Sequence, residues 1–312
     1  MGHCQVAVTC CSSDARASWP VAVRWSLPKA WADDPARLRR ARVPEDVTFQ
    51  PTPQRALALR DHARAWGVPH RCVVAEADYG DTPHFLVGVE ARRASDVVAV
   101  RSDFGVCLKR HDSPPAQRAD QVLAALPRRL WRTIRWRHGT TGWLHKKCMA
   151  LRCWRMTPEN QARIGWLLGE RAARGQPEER KDSWSNLPAA ATLEEVVDFA
   201  HRRHAIEQFH EEAKGALGWE QYQGRVWPGF HRHAVSAMLA DSFLRWQELR
   251  HRQNRPRRGR PRDPFSPSAR STSLSAASRA SGGGPMAPPP SATVVDDDGS
   301  VHGTLLTSVL TK

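Results

Sequence analysis

Apolar and polar positions alternate at the start of the chain. Gln5–Cys11 and Pro20–Leu27 place Val6, Val8, Val21 and Val23 at every second position. That period, with β-branched residues, predicts two strands joined by a turn at Ser12-Ser13-Asp14. Residues 53–66 (PQRALALRDHARAW) read as a helix, with Pro53 near the start and Gly67 at the stop. CVVAEA at 72–77 reads as a buried strand that ends in an acid. Residues 83–93 predict a second helix and VVAV at 97–100 another strand. The order β-β-α-β-α-β predicts an α/β core, whose first part spans residues 1–105.

The pattern changes at about residue 106. RRLWRTIRWRHGTTGWLHKKCMALRCWRM, 128–156, is rich in Arg and Trp. Strand-like runs follow at 142–154, 164–168 and 182–187. Together they predict a smaller β-rich insertion domain over 106–188. Helical patterning returns at 192–216 and 229–249, and 189–250 is assigned to the C-terminal helices of the core. After Arg250 the chain is basic and Pro-rich, and 266–293 is nearly all Ser, Ala, Arg, Gly, Pro and Thr. Such a composition buries too little surface to fold, so 251–312 is expected to be a disordered, low-complexity tail.

Composition narrows the class. The 312 residues carry a net charge of +15 and a pI near 10.4, which points to a polyanionic partner, foremost nucleic acid. There is no apolar run of about 18 residues and no signal-peptide pattern, so no membrane partner is expected. The seven Cys are odd in number and include no CxxC pair. They read as small buried hydrophobes in a reducing compartment, not as a disulfide framework or a zinc site.

One segment concentrates charge in a pattern. In RRHAIEQFHEEAKG, 202–215, Arg203, Glu207 and Lys214 are spaced by four and seven residues, which puts them on one face of a helix. Ile206, Phe209, Ala213 and Leu217 form the neighbouring apolar stripe. Taken alone, this is either an ion-pair ladder or a metal-ligating carboxylate with a phosphate clamp on each side.

The wider context resembles a known family. R-x3-E-x6-K at 203–214, LGWEQYQGRVWPGFHRH at 217–233 and AEADYGDTPHF at 75–85 resemble DDE transposases of bacterial insertion sequences. The subgroup is the one with a Tyr-x2-Arg-x3-Glu-x6-Lys motif. The resemblance is collinear from Cys4 to about Pro267. It includes WPVAVRWSLPKAW (19–31), ALRDHARAWGVPHRCVVAE (58–76) and SNLPAAATLEEVV (185–197).

The resemblance implies an RNase H-like core and an Asp-Asp-Glu set that binds two Mg²⁺ (or Mn²⁺) ions for in-line phosphodiester displacement. It implies double-stranded DNA partners, the element ends and the target. It also implies a homodimer on paired ends and a cytoplasmic, nucleoid-associated location. Carried over by position, Glu207 is the final acid and Glu76 stands at the second; both are catalytic and metal-ligand candidates. Arg203 and Lys214 are the phosphate-binding candidates.

The sequence also departs from that family. Glu76 replaces an Asp three residues before Tyr79. The extra methylene moves its oxygens by more than about 1 Å, a displacement that can cost on the order of 100-fold in rate. Asp78 shares the face of Glu76 if the strand continues, about 6–7 Å further along. The first acid has no counterpart. The first core strand is expected to be missing, as in an N-terminally truncated copy, which would leave neighbouring strands unpaired. Ala200 stands in place of the motif Tyr. A frameshift and a natural tail both account for the loss of resemblance near Pro267.

Other DNA-contact candidates are Arg132 and Arg135, in a run where Arg128, Arg129 and Arg137 interleave with Trp131 and Trp136. Arg258-Gly259-Arg260-Pro261 resembles a minor-groove hook. His201, His204, His210, His231 and His233 lack zinc-ligand spacing and read as a polar DNA-facing surface. The expected function is therefore DNA cleavage and strand transfer by an insertion-sequence transposase, in an incomplete or inactive copy. The alternative is a catalytically dead DNA-binding remnant that holds element ends. An RNA-binding protein is disfavoured, since no RNA-module signature occurs.

Overall fold

The computed structural model describes residues 6–109, 116–139, 142–173, 175, 179–254 and 303–311. The first hairpin is β1 (Val6–Ser13) and β2 (Ser18–Trp25). Its turn is closed by Asp14, whose carboxylate accepts from the backbone N–H groups of Arg16 and Ala17 at 2.7 and 2.8 Å. Helix α1 (Thr52–Ala65) leads to β3 (Cys72–Ala75), a short helix α2 (Ala77–Gly80), α3 (Pro83–Ala91) and β4 (Ser95–Val100). These elements follow the order read from the sequence.

After a small two-stranded ribbon (Gly105–Val106 with Gln117–Arg118) and a helix at Ala119–Ala125, four longer strands follow: β5 (Arg132–Gly139), β6 (Gly142–Met156), β7 (Ala162–Arg171) and β8 (Arg180–Ser185). They do not form a sheet of their own. β8 pairs antiparallel with β4, and β7, β6 and β5 extend the same sheet outward. The region expected as an insertion domain is thus an extension of the core sheet. Three helices follow: α4 (Leu193–Arg202), α5 (His204–Gly215) and α6 (Trp227–Asn254). Thr192 caps α4 by accepting from the Glu195 N–H at 3.1 Å.

The last strand, β9 (Thr304–Thr311), corrects the expectation of a tail disordered to its end. It lies in the middle of the sheet, whose order is β2-β1-β9-β3-β4-β8-β7-β6-β5. It runs antiparallel to β1 and parallel to β3. It therefore occupies the slot that the sequence reading left open, and it gives β1 and β3 the backbone partners they would otherwise lack. The start of the expected tail, residues 251–254, continues α6, and the rest before Gly303, including the Arg258–Pro261 pattern, lies outside the described residues.

Helices cover both faces of the central strands, which is why β3 is apolar throughout instead of alternating. Val73, Ala75, Val98 and Leu305 face a layer with Leu59, Phe85, Leu86 and Val89. Cys72, Val74, Val97 and Leu306 face the other layer, with Val196, Phe199, Ile206 and Phe209. The six described cysteines are buried.

A polar clasp locks β4 to the end of β8. The Asp96 N–H donates to Asn186 Oδ1 at 2.7 Å, and the Asn186 N–H donates back to Asp96 Oδ1 at 2.9 Å. The Ser185 hydroxyl donates to the Asp96 carbonyl at 2.7 Å. Asp96 is fully buried, and burial pushes its carboxyl from 3.8 up to about 7, against the Asn186 N–H, which favours the charged form. Between these two values the folded state holds a proton that the unfolded chain has released. Stability therefore falls as pH rises through that window, and the full penalty stands above it. Asp96→Asn keeps an acceptor oxygen and removes the titration. The variant is expected to be more stable than the parent at pH 8, by on the order of 1–4 kcal/mol, with the gap closing toward pH 4. Urea midpoints across that range check this.

Candidate functional site

The C-terminal ends of β3 and β9 bring two chain-distant groups to one corner. Glu76 follows the last residue of β3 and stands at the N-cap of α2 without capping it. The Ser308 hydroxyl of β9 donates to Glu76 Oε1. Across from them, Arg203 sits at the junction of α4 and α5. Its guanidinium donates to Glu207 Oε1 at 2.7 Å and lies 3.9 Å from Glu76 Oε1. Arg203 thus stands between the two carboxylates. His204 Nδ1 lies 3.8 Å from the other Glu207 oxygen.

Burial holds the Glu76 carboxyl above its ordinary value of 4.5; Arg203 opposes this, while Glu207 and Asp78 add to it. Asp78 does not share a strand face with Glu76: the strand stops at Ala75, and Asp78 lies in the first turn of α2.

The corner opens into a cleft of about 580 Å³ between the sheet extension and α4. Arg137, Lys146, Arg180, Lys181 and Arg203 line it, against the carboxylates of Glu170, Asp182 and Glu207. The buried acids have local partners. Asp182 is held by Arg180 at 3.0 Å, and Glu170 by His201 at 2.9 Å. Lys146 and Lys181 both reach Glu179 at 2.8 Å. The remaining balance is positive, and the location at the carboxyl ends of parallel strands is where open α/β sheets bind ligands.

Of the residues singled out from the sequence, the structure brings Glu207, Glu76 and Arg203 together. Lys214 does not join them. It lies about two turns along α5 from Glu207 and pairs with Glu220 at 3.6 Å. Arg132 pairs with Glu194 at 2.6 Å on the edge strand β5. Arg135 is exposed, and strand alternation points it away from the face that carries Ile134 and Trp136.

The two tryptophans expected to stack bases are otherwise engaged. Trp131 is buried beneath Arg171, whose guanidinium carbon lies 4.0 Å from the ring centroid. Trp136 stacks on His201, centroids 3.6 Å apart and planes 6° apart. The histidines are spread among separate partners. His210 Nε2 and the Thr9 hydroxyl share a hydrogen bond at 2.6 Å, and burial pushes the imidazole down to about 4, so it is neutral near pH 7. His231 and His233 bond backbone carbonyls. Among the described residues no group of three or more His, Cys, Asp or Glu could hold a metal ion.

Ser308, Glu170, Lys146, Arg180 and Lys181 were not singled out from the sequence. For Ser308 the missed signal is TLLTSVLT, an eight-residue run rich in β-branched and apolar residues.

Residues 1–142 match a family model described as DDE superfamily endonuclease. The match spans less than half of the 312-residue chain and supports a DDE-type transposase or endonuclease family. It includes Glu76 and excludes Arg203, Glu207 and Ser308. The mixed α/β sheet with helices is compatible with an RNase H-like DDE fold. No curated protein matches the chain. No described helix is long and apolar enough to cross a membrane.

The geometry makes the Glu76 carboxyl sensitive to Arg203. In ¹³C-carboxyl NMR titrations Glu76 is expected to titrate above 4.5, and higher still in Arg203→Gln, where the opposing cation is lost. A midpoint that does not move in the variant would contradict the bridging arrangement.

Proposed function

We propose that this chain is a DDE-type transposase of an insertion sequence that holds duplex DNA in the basic cleft but does not cut it. The observation that carries the reading is the placement of Arg203 between Glu76 and Glu207, at the mouth of a cleft lined by further cations. This supports both readings drawn from the sequence in one respect, an incomplete or inactive transposase copy and a catalytically dead DNA-binding remnant alike: neither cuts DNA.

DDE superfamily endonucleases generally use divalent metal ions. When bound, such ions supply charge neutralisation and an activated oxygen nucleophile. The donor set here does not fit a two-ion centre. Mg²⁺ demands several anionic or strongly polar oxygens in octahedral array. In this corner one carboxylate is bonded by Arg203, the other receives the Ser308 hydroxyl, and a guanidinium lies between them. An ion would have to expel a cation that is itself half-buried. No hydrolytic or strand-transfer step is therefore assigned.

The chain's own groups account for binding instead. Arg137, Lys181 and Arg180 present donors to phosphate oxygens, and Arg203 is oriented by Glu207 with its planar fork toward the cleft. Contacts of this kind position DNA without reading bases. Arg132 and Lys214 lie outside the cleft and are each paired with a carboxylate, and Arg135 faces away from it.

Duplex binding is expected to weaken steeply with salt, with a log–log slope near −0.9 per phosphate engaged. Replacing Arg137 and Lys181 together by Ser should reduce that slope by about 1–2. Fluorescence anisotropy in graded KCl measures both. A supercoiled plasmid incubated with the protein and Mg²⁺ or Mn²⁺ should stay intact. Nicking that disappears in Glu207→Gln would contradict the proposal.

A further inference from the structure

The last strand is bound to its neighbours without being next to them in sequence. Residues 255–302 separate it in sequence from the end of α6. Within the sheet, β9 alone connects the β1–β2 hairpin to β3 and the strands beyond it. All eight of its residues pair with β1, and Thr304–Thr307 also pair with Cys72–Ala75 of β3. Thr304 through Ser308 are buried, with Leu305 in one core layer and Leu306 in the other.

The seat is specific at both ends. Arg71 N–H donates to the Gly303 carbonyl at 2.6 Å where the strand begins. A Cβ at Gly303 would collide with the Pro69 carbonyl oxygen, so only glycine passes this point without a shift in backbone. At the other end Ser308 bonds Glu76, and Thr9 Oγ1 lies 3.4 Å from the Ser308 carbonyl. Arg202 reaches Thr304 Oγ1 at 3.4 Å.

We propose that the slot between β1 and β3 is a receptor for an extended peptide strand, and that its occupant is this chain's own segment Gly303–Thr311, a detachable strand. Strand addition of this kind draws affinity from main-chain hydrogen bonds and register from side-chain seats on both faces. Here those seats take Leu305 on one side and Leu306 on the other. Occupancy of the slot is coupled to the acidic corner. When the strand leaves, Glu76 loses the Ser308 hydroxyl and the two halves of the sheet lose their shared partner in one step. The proposal stands on the sheet topology and is independent of DNA binding.

The test uses the full chain. Thr307 pairs with Cys10 across β1 and β9, so Thr307→Cys should form a disulfide with Cys10 on mild oxidation. Peptide mass mapping locates the bond, and a non-reducing gel shows whether it lies within one chain. Labelled synthetic peptide of sequence 303–312 is also added to the parent protein and to the oxidised variant. The expected result is an intrachain bond between Cys10 and the thiol introduced by Thr307→Cys. With it go slow uptake of peptide by the parent, loss of uptake in the cross-linked form, and no uptake of a Leu306→Asp peptide. A disulfide that joins two chains would overturn seating by the chain's own strand. Uptake that ignores the cross-link, or is equal for the Leu306→Asp peptide, would overturn the receptor slot, as would no uptake by the parent.

Discussion

The pairing of the C-terminal strand with β1 and β3 is the constraint on which the structure depends. Backbone groups at the centre of a sheet covered by helices on both faces have no water to turn to, so an open slot there would strand donors and acceptors in the core. β9 supplies those partners from the far end of the chain. Its side chains fill both layers at once, which ties the α1–α3 side to the α4–α6 side. Such a contact is highly non-local, and its loop-closure entropy must be met before the sheet gains from it.

The same strand determines what the corner can do. It brings a neutral hydroxyl to Glu76 where a third carboxylate would be needed to hold divalent ions. With two acids and one guanidinium the corner is one positive charge short of balance, and Arg203 offsets part of the repulsion between the carboxylates at partial burial. The surrounding cleft is positive because five cations, Arg137, Lys146, Arg180, Lys181 and Arg203, line it against three acids, Glu170, Asp182 and Glu207. Trp136, stacked on His201, helps set the wall of the cleft instead of offering a free face to a base. The proposed binding without cutting rests on this distribution of charge.

Much of this was legible in the sequence, for local reasons. The first hairpin, α1, β3 and α3 announce themselves through periodicity and through Pro and Gly at their ends. Arg203 and Glu207 are four residues apart, and that spacing alone brought their side chains together. Lys214 failed the same reasoning because its partner, Glu220, arrives after the turn that ends α5, which helical spacing does not encode. The strands of 132–185 were seen as strands but not as one sheet with β4, since strand order is a tertiary property. β9 was hidden by its neighbourhood: a long Ser-, Gly- and Pro-rich segment drew the reading toward disorder over an eight-residue β-forming run.

The account's central claim is that Thr304–Thr311 is an interior strand of the native sheet, and hydrogen exchange measures this most directly. Amides of Leu305, Leu306 and Thr307 in the full chain should exchange as slowly as those of Val73 and Val74 in β3, since the two strands share one ladder. Exchange of residues 304–308 at the rate of an unstructured peptide, with β3 still protected, would contradict the placement of β9 and with it the composition of the acidic corner.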